Sequence, residues 1–391
     1  MNSTSLTDTP LGTRTNQPDI LPRVVIDLEK LRHINCGLGR FSLYLAQELL
    51  ARSDNCFEPV FFLPDGSDHY FAGVPNANYS SIRVRPWNKE SFQRWVRPIG
   101  RHFHKVDRPA LWHVTHQTSK FLPFDDRIPV VLTVHDLNFL HMTDSGDQPK
   151  RIRQRLARVQ KLVTRANAIV TVSKYTATDL AQHINVESKT IHVVPNGLTP
   201  PAEITDTRPS WAPKSPFIFS IGNFLQHKNF HTLIEMMKHL PNYQLVIAGK
   251  KETSYGKKVI KKTTQSGLTS QVLLPGGISD TERAWLYQNC DVFVFPSLTE
   301  GFGFPVLEAM QCGKPVVMSN RTSLPEIAGE SGMFFHSYEP VEMAKTVQNA
   351  LSAFHSDPQS AARSQQHAAG FSWQATAQQY ADIYRSVLKR I

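Results

Sequence analysis

Two glutamates, Glu300 and Glu308, stand with seven residues between them in PSLTEGFGFPVLEAMQCGKPVV, Pro296 to Val317, among them Gly301, Gly303 and Pro305. The residues before them, CDVFVFPS, have the apolar run of a buried strand, and those after Pro305 the pattern of a helix. Glycines in such a corner let a ligand reach the main chain, and the helix behind them turns unpaired N–H groups toward an anion. Carboxylates so placed either contact that ligand or cap the helix and pair with a surface lysine. A second corner, CGLGRF, sits near the N-terminus with Gly37 and Gly39. It lacks the third glycine of a dinucleotide fingerprint, so on its own it marks a tight turn as readily as a binding loop. Arg40 beside it either faces a phosphate or forms a surface ion pair.

The elements that must position these corners alternate along the chain. PRVVIDLEKL, CFEPVFFLP, RPALWHVTHQ, IPVVLTVHDL, NAIVTVS and SKTIHVVPNGL read as strands, with the helix RFSLYLAQELLAR after the first glycine corner and QRLARVQKLV and KYTATDLAQHI later. A proline-rich stretch, TPPAEITDTRPSWAPKS (199–215), has the composition of a linker. Beyond it PFIFSIGN, YQLVIAGK, QVLLPGG, DVFVFPS and KPVVMSN are strands separated by helices. The expected fold is α/β, with two doubly wound, Rossmann-like domains. A tail (1–20) precedes an N-terminal domain (21–198), and the linker leads to a C-terminal domain (216–373). A final amphipathic helix (374–391) is expected to cross back to the first domain. Two such domains place the carboxyl ends of both sheets at one cleft, which is where ligands of this architecture bind.

The 391 residues are too many for one ordinary core, and 40% hydrophobic with 19% charged residues is a soluble, globular composition. No apolar run reaches membrane-spanning length, and the first twenty residues lack an apolar signal core. Four cysteines without CxxC spacing argue against a disulfide framework and a zinc site. No HExxH and no D-x-D occurs, which removes the usual carboxylate clamp for a metal-bound nucleoside diphosphate. A net charge of +10 calls for an anionic partner. Nucleic acid is set aside, because no helix-turn-helix, RRM or zinc signature accompanies the dispersed cations.

The Glu300–Glu308 spacing, with LPEIAG shortly downstream, resembles the E-x7-E signature of the retaining family-4 glycosyltransferases, whose fold is GT-B. The likeness extends over nearly the whole chain, through GLGRF, TVHDL, TVSKYT, VVPNGL, HKNFHTLIEM, LPGGISDTERAWLY and FSWQATAQQYADIY. It implies that Glu308 grips the ribose diol of a nucleotide-sugar donor and Glu300 the hydroxyls of the transferred sugar. Glu308 is expected in the first turn of its helix, at the positive end of the dipole. The main chain of Gly301, Phe302, Gly303 and Phe304, with Gly37 and Gly39 across the cleft, would meet the sugar and the diphosphate. Lys228 matches the lysine that neutralises the diphosphate. Asn223 stands where many relatives carry an arginine and would donate a hydrogen bond in its place. His135, ending the strand of TVHDL, would face the reacting sugar, with Asp136 orienting it or capping the loop. Gly277 and Ile278, in PGGIS, would lie against the nucleobase.

The resemblance implies transfer of a hexose from a nucleoside diphosphate sugar to an acceptor hydroxyl, with retention at the anomeric carbon, no metal and no cofactor. GDP-mannose leads as donor, because the spelling resembles bacterial mannosyltransferases of polysaccharide and O-antigen assembly. Rhamnose, glucose and N-acetylglucosamine donors remain open, and a GT-B phosphorylase or sugar-nucleotide epimerase is the alternative activity. The acceptor would be a glycan or a lipid-linked glycan, and the location cytoplasmic, peripheral on the inner face of the plasma membrane. The basic, aromatic stretch RVRPWNKESFQRWVRPIGRHFHK (83–105) is a candidate contact with an anionic membrane surface, or an ordinary helix with a solvated basic face.

Overall fold

The computed structural model describes residues 21–34, 36–52, 56–75, 79–86, 89, 109–123, 125–142, 149–187, 189–199 and 207–390. Most of the basic stretch 83–105 and residues 200–206 of the linker lie outside them. The N-terminal sheet contains β1 (Arg23–Asp27), β2 (Glu58–Leu63), β3 (Ser80–Arg83), β4 (Leu111–Val114), β5 (Val130–Val134), β6 (Ala168–Thr171) and β7 (Ile191–Val193). All pair in parallel, in the order β3-β2-β1-β4-β5-β6-β7. The C-terminal sheet contains β8 (Phe217–Ile221), β9 (Gln244–Ala248), β10 (Val272–Gly276), β11 (Val292–Phe295), β12 (Val316–Ser319) and β13 (Gly332–Phe335), parallel in the order β10-β9-β8-β11-β12-β13.

The near-continuous apolar strands follow from helices covering both faces of each sheet. Alternate residues go to opposite sides: Val24 and Ile26 enter one core cluster of the first domain while Val25 enters the other. Phe293 and Phe295 are likewise separated from Val292 and Val294 in the second. In both sheets the order in which strands are added reverses beside the first strand, at β1/β4 and at β8/β11. These reversals open the two crevices that face each other across the cleft.

The helix Trp373–Leu388 packs into the core of the N-terminal domain through Trp373, Ala377, Tyr380, Ala381, Tyr384 and Val387. A buried polar chain fixes it there. Tyr384 Oη lies 2.7 Å from His113 Nδ1, His113 Nε2 is 2.8 Å from Thr133 Oγ1, and Thr133 Oγ1 is 2.8 Å from Tyr380 Oη. The chain passes back beside the first crossing, where Leu198 N donates to Phe371 O at 2.8 Å and Gly197 leaves no room for a Cβ against Trp373. The end of the linker is packed rather than loose, with Ala212 buried and Trp211 Nε1 donating to Glu282 at 2.7 Å.

Two details differ from the sequence reading. Gly37 and Gly39 are not in a loop before the first helix but in its opening turn, since that helix runs Gly37–Ala51. A Cβ on Gly39 would sit 2.3 Å from His33 O, so the glycine allows the helix to press onto the preceding turn. The strands β3 and β13 and the helix Pro340–Ser356 were not expected.

Candidate active site

The Glu300 corner is held by its carbonyl groups. Glu300 O and Phe302 O accept from Ser323 Oγ at 3.0 and 2.7 Å, and Gly301 O accepts from Ser173 Oγ at 2.9 Å and Thr176 Oγ1 at 3.3 Å. In a trans peptide the next N–H points away from the carbonyl, so the N–H groups of Gly301, Phe302 and Gly303 face the opposite side. None of these three donates to a protein acceptor among the described residues. The helix Phe304–Gln311 begins beyond them without a side-chain cap, with Gly303 at φ 133° and Pro305 in its first turn. A row of unpaired donors thus leads into a helix N-terminus, a natural cradle for phosphate or sugar oxygens.

The side chains of this corner divide by role. Phe302 is buried in the C-terminal core, so only its main chain is available to a ligand. Phe304 is half-buried between both domains' cores and stacks on Trp373 at 6.4 Å between ring centroids. Opposite it lies Gly37, where a Cβ would be 3.8 Å from the Phe304 ring. The Gly37 helix is also uncapped by any side chain, and its N-terminus meets the corner from the other domain.

Glu300 and Lys228 pair at 2.5 Å, with the Lys228 ammonium also 4.9 Å from the centre of the Phe295 ring. Both side chains are largely covered, 14% and 13% exposed, so the pair sits in a crevice rather than in open solvent. Lys228 closes a short 3-10 turn, Gln226–Lys228, and Asn229 follows in a left-handed conformation at φ 57°. Asn223 is exposed at the start of the same loop.

Glu308 is not in the first turn. The helix starts at Phe304, because Gly303 makes the bend, and Glu308 becomes its fifth residue. There the end of the dipole has faded, and the neighbouring charge is Arg40, whose Nη1 donates to Glu308 Oε1 at 2.9 Å across the domain boundary.

His135 ends β5 with its imidazole buried. Nε2 lies 2.9 Å from Thr115 O, which requires a proton on that nitrogen and leaves Nδ1 as the acceptor. Burial pushes its pKa down to about 4, so the ring is neutral at pH 7. Phe41 meets it edge-on at 4.5 Å. Its carbonyl is the surface against which Gly301 packs, and a Cβ there would be 2.0 Å from His135 O. Asp136 caps the following turn, accepting from Asn138 N at 3.1 Å, and burial raises its carboxyl to about 6. Gly277 is open on every side and Ile278 half-buried, both just past Gly276, at φ 90°.

Several contacts across the boundary carried no signal in the sequence. Glu326 accepts from Lys174 N at 2.8 Å and Tyr175 N at 3.1 Å, capping a helix of the other domain. Thr299 Oγ1 donates to Asn138 Oδ1 at 2.6 Å. Together with Ser173, Thr176 and Arg40 they bring the two crevices into one site.

Known proteins share the two-domain fold. Residues 36–200 match the family "Glycosyltransferase Family 4", and residues 203–367 match "Glycosyl transferases group 1". O-antigen chain mannosyltransferase B of Escherichia coli is 27% identical over 93% of this chain and 99% of its own. Serotype-specific mannosyltransferase WbdA of Escherichia coli is 30% identical over 54% of this chain, which spans only 28% of WbdA. Among solved structures, Anabaena HepE in complex with UDP and glucose superimposes with a TM-score of 0.70 at 20% identity, over 93% of this chain and 100% of that one. The first matched segment holds β2 to β7 and the second holds β8 to β13, and the chain carries a family-4 glycosyltransferase domain followed by a group-1 domain on a GT-B fold.

Proposed function

We propose that this chain transfers a hexose, mannose from GDP-mannose in the first instance, to a hydroxyl of a glycan or lipid-linked acceptor in surface-polysaccharide assembly, with retention at the anomeric carbon. The observation that carries the reading is the corner itself. The N–H groups of Gly301, Phe302 and Gly303 find no acceptor among the described residues, Glu300 at the head of the corner pairs with Lys228, and Gly301 packs against His135 O at the end of β5. Mannose as the sugar is supported by the two mannosyltransferases among the relatives. A nucleoside diphosphate donor is supported by the UDP in the HepE complex.

In this reading Glu308 accepts the ribose diol and Glu300 the hydroxyls of the sugar. Lys228 and the two uncapped helix N-termini take the charge that develops on the diphosphate, the task a metal has in other transferases. The acceptor oxygen bonds to the anomeric carbon on the face from which the phosphate oxygen leaves, and that oxygen takes the acceptor's proton. Retention then needs no carboxylate nucleophile, and the chain contributes chiefly position and charge. His135, neutral, accepts a sugar hydroxyl at Nδ1. A lipid-linked acceptor would put the work at the inner membrane surface. No helix of the described residues is long and apolar enough to cross a membrane.

The test is a panel of GDP-, UDP- and dTDP-sugars, with and without chelator, read by nucleotide release and by NMR of the product's anomeric linkage. Release from GDP-mannose that survives chelation, with an α-linked product, is the expected outcome. Turnover of a different donor moves the donor assignment; an inverted product overturns the retaining mechanism.

A further inference from the structure

The Arg40–Glu308 contact joins a cation of one domain to the carboxylate that, on the reading above, holds the donor's ribose in the other. Arg40 sits in the opening turn of the Gly37 helix, and Glu308 in the helix behind the Glu300 corner. Their separation is 2.9 Å, and the side chains are 26% and 18% exposed. Among the described residues Arg40 has no comparable second acid. Its other terminal nitrogen is 3.9 Å from Asp280, which is 79% exposed and pairs with Arg283 at 2.9 Å. The buried Tyr287 hydroxyl lies beside Glu308, and burial together with that carboxylate's charge raises its pKa.

A guanidinium that donates to Oε1 occupies one lone pair of the carboxylate. A carboxylate has about four lone-pair sites, so acceptor capacity remains for a vicinal diol. The contact therefore orients Glu308 without filling its ligand face, and its planar fork resists rotation better than an ammonium would. The pair spans two separately cored domains, so opening the cleft would break it and strand a half-buried carboxylate.

We propose that Arg40 is a positioning residue that presets Glu308 for the ribose diol and so links nucleotide binding to closure of the cleft. The inference rests on Glu308 being the ribose ligand, and the two can be separated. Calorimetry would measure GDP and UDP, and the 2′,3′-dideoxy form of whichever binds, against wild type, Arg40→Gln, Arg40→Lys, Glu308→Gln and the double variant Arg40→Gln/Glu308→Gln.

Arg40→Gln should weaken the ribonucleotide roughly tenfold, within the usual range of coupling between sites. It should leave the dideoxy form nearly unchanged. Arg40→Lys should recover part of the loss, and the double variant should bind no worse than Glu308→Gln. Equal losses for both nucleotide forms would make Arg40 a phosphate ligand or a structural residue and overturn the proposal. Tighter binding by Arg40→Gln would make it a competitor for Glu308 and overturn it as well. If Glu308→Gln itself binds the ribonucleotide like wild type, the ribose assignment falls, and this inference with it. Should Arg40→Gln not fold, the Arg40→Lys and dideoxy measurements still decide.

Discussion

Glu326 of the C-terminal domain caps a helix of the N-terminal domain, with its two carboxylate oxygens on the N–H groups of Lys174 and Tyr175 at 2.8 and 3.1 Å. An anion at an uncrowded helix N-terminus is stabilised both by these bonds and by the dipole, together about 1–2 kcal/mol. Here the same energy holds two domains in register. Glu326→Ala should lower the melting temperature only modestly yet raise the KM for donor, because the cleft would spend less time closed. Glu326→Gln, which keeps one acceptor, should fall between. A KM equal to wild type in the alanine variant would show that the latch has no part in turnover.

The Lys228–Glu300 pair invites a double-mutant cycle. Lys228→Met removes the cation beside the unpaired N–H groups, and loss of one preorganised charge at a developing anion typically costs about a hundredfold to a thousandfold in kcat. Glu300→Gln should reduce turnover too, while keeping the shape of the crevice. As the partners are in contact, the double variant should lose less than the product of the single losses. Fully multiplicative losses, measured with the donor that proves active, would mean the two act on separate steps.

What was legible in the chain was what lies within one element. Strands such as VVLTV and VFVF are buried on both faces and so stand out as apolar runs, and with their alternating helices they carry the two-domain architecture. Two of the four edge strands, β3 and β13, gave no such run. In β3, SSIR, no residue is fully buried, and in β13, GMFF, only Phe335 is. The helix Pro340–Ser356 did carry a signal, Met343, Val347 and Leu351 at intervals of four, diluted by alanine and polar residues. At the site, the spacing of Glu300 and Glu308 exposed the corner, but their partners could not be read from spacing. Arg40 is 268 positions from Glu308, and Lys174 is 152 from Glu326. Only the packing of one domain on the other brings them together. The placement of Glu308 in a first turn failed for a local reason, since a glycine at positive φ started the helix at Phe304 rather than after Pro305.

Gly301 offers a steric test of that packing. A Cβ at this position would lie 2.0 Å from His135 O and 2.8 Å from Asp136 Cβ, and backbone cannot yield as a side chain can. Gly301→Ala should therefore force the corner off the end of β5 while each domain keeps its own core. The expected result is a loss of turnover of at least about a hundredfold, in line with the sensitivity of positioned reactants to small displacements. Far-UV dichroism should not change. Near-normal activity would place the reacting groups elsewhere.

The buried histidines set the acid limit of the fold. His113, between Tyr384 and Thr133, is pushed by burial from 6.5 down to about 3, while His135 and His227 fall to about 4. Below pH 6.5 the unfolded chain takes protons that these sites refuse in the native state, so stability must rise with pH from about 4 to 6.5. Asp27 and Asp136 act in the opposite sense. Burial raises both from 3.8 to about 6, so their native forms hold protons in that window and their contribution falls as pH rises through it. Each buried histidine contributes up to about 1.4 kcal/mol per pH unit. Acidification through this window therefore costs stability at the histidines and returns part of it at the two carboxyls. His113→Gln should destabilise the protein at pH 7 by about 1–3 kcal/mol, because Tyr384 and Thr133 lose a buried partner. It should also make the decline between pH 6.5 and 4.5 shallower. Urea unfolding of wild type and variant at both ends of that range measures the difference, and parallel pH profiles would show that His113 does not titrate with unfolding.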